Sequence, residues 1–240
     1  MRLDSQATDT LRYRESGDRG LLVELGDQID WPLNTRTRRL ARLLEQRGLP
    51  GVLEIVPAYC SFLVLYEPET LDMDRIKAVI EALYHQIDDS GGEESQAFGR
   101  SVEIPVCYGG DYGPDLASVA ELNGLSQEEV IRIHTSGTYP VYMLGFAPGF
   151  PYLGGLDERI ATPRLDTPRS HVPAGSVGIA GSQTGIYPLA SPGGWRLIGR
   201  TPLTLFDPTA EDPVPYYRPG DSLRFVAVSE EELHRMLREG

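Results

Sequence analysis

The stretch VPAGSVGIAGSQTGIYPLASPGGWRLIGRTPLTLF, residues 172–206, places a glycine or proline every few positions between short runs of alternating side chains. Glycine and proline punctuate turns, and the two-residue alternation in SVGIAG and WRLIGRTPLTLF is that of strands with one buried face. The pattern begins at Thr138 and runs on to SLRFVAV at 222–228. So many turns between such runs predict a β-barrel or sandwich. Just before it, SVEIPVCYGG (101–110) reads as a strand ending in a turn. A helical hairpin follows, DLASVAELNG then SQEEVIRIHTSG, the second helix opening on a Ser126/Glu129 capping box. The tail EEELHRMLREG reads as one last helical turn or a frayed end.

Further upstream the character changes. LRYRESGDRGLLVEL (11–25) holds two strands about a Gly17–Gly20 turn, and GVLEIVPAYCSFLVLYE (51–67) a hairpin about Pro57-Ala58-Tyr59. Between them, DWPLNTRTRRLARLLEQRG carries Leu33, Leu40, Leu43 and Leu44 at helical spacing, with Asp30 as cap and Gly48 and Pro50 as stops. DMDRIKAVIEALYHQIDD sets Ile76, Val79, Ile80, Leu83 and Ile87 on one helical face behind Asp72. Two helices on an antiparallel sheet predict a ferredoxin-like layer. The polar segment SGGEESQAFG (90–99) marks the boundary. The expected fold is therefore α+β: residues 1–92 a ferredoxin-like sandwich, and residues 98–240 a barrel.

Composition narrows the function. The net charge of −13 argues against a polyanionic partner, so neither nucleic acid nor an acidic membrane is expected. No apolar run is long enough to span a bilayer, and MRLDSQATDTLRYRES lacks the apolar core of a signal peptide. Cys60 and Cys107 lie far apart with no metal or redox spacing, which predicts spare thiols and a cytoplasmic setting. No P-loop, HExxH or GxSxG occurs, and no metal site is expected. One window runs against the overall charge. From Arg159 to Arg200 five arginines (159, 164, 169, 196 and 200) face a single acid, Asp166. Such an island suits a small carboxylate or phosphate, or else is a solvated surface.

The segment LGFAPGFPYLGGL, 144–156, has four glycines, two prolines, three aromatics and no charge. It is too broken for a helix and too aromatic for a linker. The residues 172–195 add Ser176, Ser182, Gln183, Thr184, Tyr187 and Ser191 among glycines, as a ligand pocket or a set of barrel corners would. Of the histidines, His85 and His234 read as exposed, and His171 neighbours the arginines. His134 either complements a helix C-terminus or faces the site as an acid/base.

LGFAPGFPYLGGL, TPR (162–164), VPAGSVGIAGSQTGIYP, SPGGW (191–195) and LFDP (205–208), with EIPVCYGGDYGPDL and HTSG upstream, together resemble one family. It is that of the 5-oxoprolinase B subunit, the kinase inhibitor KipI and allophanate hydrolase subunit 1. The resemblance covers essentially the whole chain. It implies a ferredoxin-like domain followed by a cyclophilin-like antiparallel β-barrel. It also implies ATP-dependent opening of 5-oxoproline to glutamate, carried out with a paralogous C subunit and an A subunit, the isolated chain being inactive. ATP, with or without Mg²⁺ beside it, would sit at or near the subunit seam. Carried onto this sequence, Arg164 and Arg169 become anion clamps, Ser176, Gln183 and Thr184 polar orienters, and Tyr152, Tyr187 and Trp195 walls. Phe146, Pro148 and Phe150 become the rim, facing the cleft or a partner. His134 is the leading acid/base and Glu103 a weaker one. The alternatives are a KipI-like inhibitor docking on a sensor histidine kinase, an accessory protein of a urea carboxylase or allophanate pathway and, more remotely, a prolyl isomerase.

Overall fold

Aspartate caps and a left-handed glycine set the helices of the N-terminal unit. The computed structural model describes residues 11–87, 99–211 and 213–239. The chain divides into two units, Met1–Ala97 and Phe98–Gly240. Apart from Gly99, the expected boundary segment 90–99 lies outside the described residues, as does MRLDSQATDT at the N-terminus.

In the first unit, strands β1 (Arg12–Glu15) and β2 (Gly20–Glu24) precede helix α1 (Trp31–Arg47). Hairpin β3 (Val52–Pro57) and β4 (Ser61–Tyr66) then leads to α2 (Met73–Tyr84). Asp30 accepts a 2.8 Å bond from the Leu33 amide, satisfying one of the orphan donors of the first turn of α1. Gly48 closes that helix at φ 60°, and Asp72 caps α2. Leu40 and Leu44 of α1 with Ile76 and Ile80 of α2 bury against Leu21, Val23, Phe62 and Val64 of the sheet. Fully buried Asn34 pins the hairpin loop, donating to the carbonyls of Ala58 and Tyr59. The sheet is antiparallel in the order β1-β2-β4-β3. The strand that enters first, β1, therefore occupies an edge beside β2.

The second unit begins with β5 (Ser101–Tyr108) and helices α3 (Leu116–Leu122) and α4 (Gln127–Ser136). The capping box is present: Glu129 N–H donates to Ser126 Oγ, and the Ser126 amide to the Glu129 carboxylate. Next come β6 (Tyr139–Leu144), β7 (Pro151–Leu153), a 3₁₀ turn at Glu158–Ile160, and strands β8 (Arg169–Val172), β9 (Ser176–Ala180) and β10 (Gln183–Ile186). Strands β11 (Ser191–Gly193), β12 (Arg196–Arg200) and β13 (Ser222–Ala227) precede helix α5 (Glu230–Glu239). Seven strands form one sheet in the order β10-β9-β12-β5-β13-β6-β7, and its end strands β10 and β7 approach each other, so the barrel is nearly closed. A two-stranded ribbon, β8 with β11, lies apart.

The mixed α/β architecture with a barrel sheet agrees with expectation. Two features do not. The barrel is not wholly antiparallel, since β13 runs parallel to β5 from Ser222↔Ser101 to Ala227↔Val106. The C-terminal tail is a ten-residue helix, held by fully buried Leu233 and by a Ser229–Glu232 capping pair. No helix among the described residues is long and apolar enough to cross a membrane.

Candidate functional site

The loop between β6 and β7 is built from three short-range bonds. The Gly145 amide donates to Phe150 O (3.1 Å), Phe150 N–H to Ala147 O (3.0 Å) and Ala147 N–H to Gly145 O (2.7 Å). The last closes a γ-turn centred on Phe146, whose φ is +64°. That hand of γ-turn is rare and strained for an L-residue. Phe146 is the sole non-glycine residue at positive φ among the described residues, and it is 71% exposed. Buried Tyr217 donates to Gly149 O at 3.0 Å and anchors the loop, so the strain is held in place from beneath.

Phe150 turns the other way, into the molecule. It meets Phe146, Tyr152, Tyr187 and Trp195 edge-on, with ring centroids 5.4–5.7 Å apart. Edge-to-face contact is the arrangement that aromatic quadrupoles favour. Around this cluster opens a cleft of about 390 Å³, lined by Phe146, Phe150, Tyr152, Tyr187 and Trp195 together with Arg164, Pro168, Pro192, Gly193 and Gly194. A second, shallower groove on the other side of Phe146 is walled by Pro148, Phe206, Pro213 and Pro215. Glycine is required at the cleft's base. A Cβ at Gly185 would come within 2.9 Å of Trp195 and 3.2 Å of Phe150.

The arginine island is mostly occupied. Arg159 pairs with Asp157 (2.6 Å) and Arg169 with Asp115 (2.8 Å). Arg196 bonds Pro163 O and Ser118 Oγ, and Arg200 bonds Ala174 O. Arg164 is exposed, lines the cleft, and has no hydrogen bond or ion pair to a described residue. Asp115 also accepts from the Leu197 amide at 2.7 Å, so Arg169 is part of a clasp joining the start of α3 to β8 and β12.

Other expected residues lie away from the cleft. His134 is fully buried in the barrel, stacked on Phe225 at 4.4 Å. Its Nδ1 lies 2.7 Å from Tyr108 Oη and its Nε2 2.9 Å from Thr184 Oγ1. Thr184 commits its own proton to Gly178 O (3.1 Å), so the network assigns a neutral ring with its proton on Nε2. Burial lowers the His134 pKa to about 3. With both nitrogens engaged and no exposed surface, His134 and Thr184 have no face toward the cleft. Ser176 is buried at the start of β9, and Gln183 is half-buried at the start of β10; neither lines the cleft. Glu103 is exposed on β5, in register with Arg224 of β13. Exposed Pro148 faces the second groove. Unforeseen were the structural partner Asp115 and the lining residues Pro168, Pro192, Gly193 and Gly194. The SPGGW motif signalled the last three by their place beside Trp195.

A family model described as "Carboxyltransferase domain, subdomain C and D" matches residues 11–216. The chain belongs to this family. Within it, the 5-oxoprolinase B subunit of Bacillus subtilis is 46% identical over 94% of this chain and 97% of its own length. The 5-oxoprolinase B subunit of Escherichia coli O157:H7 is 47% identical over 89% of this chain and 94% of its own. The crystal structure of TTHA0988 superposes with a TM-score of 0.75 at 39% identity, and covers 88% of this chain. This chain spans 40% of that longer protein. Saccharomyces cerevisiae urea amidolyase is more distant, 27% identical over 93% of this chain but 14% of its own length. No group of three or more His, Cys, Asp or Glu among the described residues could hold a metal ion.

Proposed function

We propose that this chain is the B subunit of an ATP-dependent 5-oxoprolinase, opening 5-oxo-L-proline to L-glutamate together with a paralogous C subunit and an A subunit. One observation carries the reading: 46% identity to the 5-oxoprolinase B subunit of Bacillus subtilis, extending over nearly the full length of both chains. The urea-pathway alternative rests on weaker identity to a small part of a much longer protein, and the kinase-inhibitor alternative has no particular observation behind it. We read the two units as a ferredoxin-like variant and a cyclophilin-like barrel, and the setting as cytoplasmic.

The chemistry explains the need for ATP. A five-membered lactam is a poor electrophile, and phosphorylating its oxygen converts that oxygen into a leaving group. Four of the island's five arginines are engaged within the chain. We place ATP at or near the seam with the other subunits and keep Arg164 for the substrate's carboxylate. The chain's contribution is binding. Arg164 holds a small carboxylate, the aromatic walls of Tyr152, Phe150, Tyr187 and Trp195 take the ring, and Phe146 covers the cleft mouth. Glu103 and His134 are given no step, the first for its exposure on a strand and the second for its enclosure. Exclusion of water by such walls strengthens every polar contact to the bound ring.

The test is glutamate release from 5-oxoproline and ATP by this chain with and without the A and C proteins encoded alongside it. Release in the full mixture alone is expected. An assembled mixture that releases none would overturn the reading.

A further inference from the structure

Tyr187 was expected to be a wall, yet its polar end is unusual. The residue is 2% exposed, and its ring packs edge-on against Phe150 and Trp195 while lining the cleft. Burial is the largest influence on its hydroxyl, and the backbone of Trp195 and the guanidiniums of Arg164 and Arg169 act against it. All three are donors or cations. No hydrogen bond to a described residue takes the phenolic proton, and the hydroxyl is not sealed away, so it is open to the cleft that the residue lines and a bound acceptor can complete it. The surroundings reinforce the sign. Gly193 pairs with Arg169 across the β8–β11 ribbon and passes so near the phenol that any side chain there would collide with it. The Arg169 Nη1 is a buried donor with no partner among the described residues.

We propose that the Tyr187 hydroxyl is a ligand-binding donor, paired with Arg164 to hold a carboxylate at one end of the aromatic cleft. A ligand that satisfies both groups must accept two hydrogen bonds from different directions, which a carboxylate does with its two oxygens. The remaining wall is aromatic and uncharged, so the body attached to that carboxylate is a small flat ring. A volume of about 390 Å³ is at the low end for ligand sites and suits such a ring. Burial pushes the Tyr187 pKa up, while the Trp195 backbone and the two arginines pull it part of the way back. The phenol therefore keeps its proton and remains a donor at neutral pH. This inference rests on the reading of the cleft given under the proposed function, and it assigns the discrimination between acid and neutral lactam to Tyr187.

The test compares binding of 5-oxoproline and of 2-pyrrolidinone, the same ring without the carboxylate, to the full-length chain by calorimetry. Wild-type protein should favour the acid, and Tyr187→Phe should cut that preference about tenfold while leaving the neutral lactam's affinity unchanged. A purely structural role would weaken both ligands together. Arg164→Met, a change on the surface, should cut the same preference, which keeps the test decisive if Tyr187→Phe folds poorly. A preference that survives either change, or a wild type that has none, overturns the proposal. Glutamate release by the assembled complex is scored separately. Loss of preference in a complex that releases no glutamate would keep the carboxylate site and remove the 5-oxoprolinase reading; turnover with an unmoved preference would do the reverse.

Discussion

The second unit holds two clusters of polar and aromatic side chains, and they are finished to different degrees. Around His134 every polar atom has a partner: Tyr108, Thr184 and the Gly178 carbonyl form one closed chain, sealed by Phe225 and Tyr139. Around Phe150 the aromatic packing is as thorough, but Arg164 and the Tyr187 hydroxyl face the cleft without the acceptors their chemistry calls for. A completed network rigidifies a core, while an incomplete one next to a cleft is where a ligand completes it. The more reactive residue type, histidine, sits in the completed cluster. Residue type alone points to the completed cluster, and the unpaired groups point to the cleft.

Several substitutions would break or sharpen this contrast. The largest effect belongs to the closed cluster. His134→Ala removes a buried ring and strands two hydroxyls, and should lower unfolding stability by about 3–5 kcal/mol in urea titrations. The same cluster sets a pH dependence. His134 titrates at about 3 when folded and near 6.5 when unfolded, so on acidification the unfolded chain takes up the proton first. Its contribution is complete above pH 6.5 and is lost as pH falls toward 3, by up to about 1.4 kcal/mol per pH unit. Subtracting the stability profile of His134→Phe from that of wild type should isolate that slope; a flat difference would mean that the histidine is not buried neutral.

Smaller effects separate the two arginines and test the strained loop. Arg169→Met leaves Asp115 with the Leu197 amide alone and should cost about 1–2 kcal/mol, discounted because the guanidinium is partly exposed. At position 146 the usual order of helix- and strand-derived preferences should invert. With φ at +64°, Phe146→Gly should be more stable than Phe146→Ala by about 1 kcal/mol in thermal unfolding, although both should weaken ligand binding. Equal stabilities would show that the γ-turn is not strained.

Much of the fold was legible because it is local. Asp30, Gly48, Asp72 and the Ser126/Glu129 pair lie next to the elements they cap, and their spacing alone identifies them. What the sequence hid was long-range. Nothing in SLRFVAV says that it will lie parallel to a strand 121 residues earlier in the Ser222–Ser101 register. The partners of the arginine island were hidden for the same reason. Asp115 reaches Arg169 from far outside the counted window, and Asp157 lies just ahead of its first residue. His134 was decidable in principle. Val130, Ile133 and His134 follow the i, i+3, i+4 spacing of one helical face, and that face is buried. The aromatic cleft itself was foreseen from the charge-free glycine- and proline-rich segment, though not the glycines and prolines that shape its base.

The most direct measurement compares Arg164→Met with His134→Phe in the assembled complex, following glutamate release at a temperature where circular dichroism shows both folded. Arg164→Met should lose about tenfold or more in kcat/KM with stability within about 0.5 kcal/mol of wild type, and His134→Phe should keep kcat/KM within about twofold while unfolding earlier. A folded His134→Phe complex without turnover, beside an Arg164→Met complex that works normally, would place the chemistry in the sealed cluster and contradict the account.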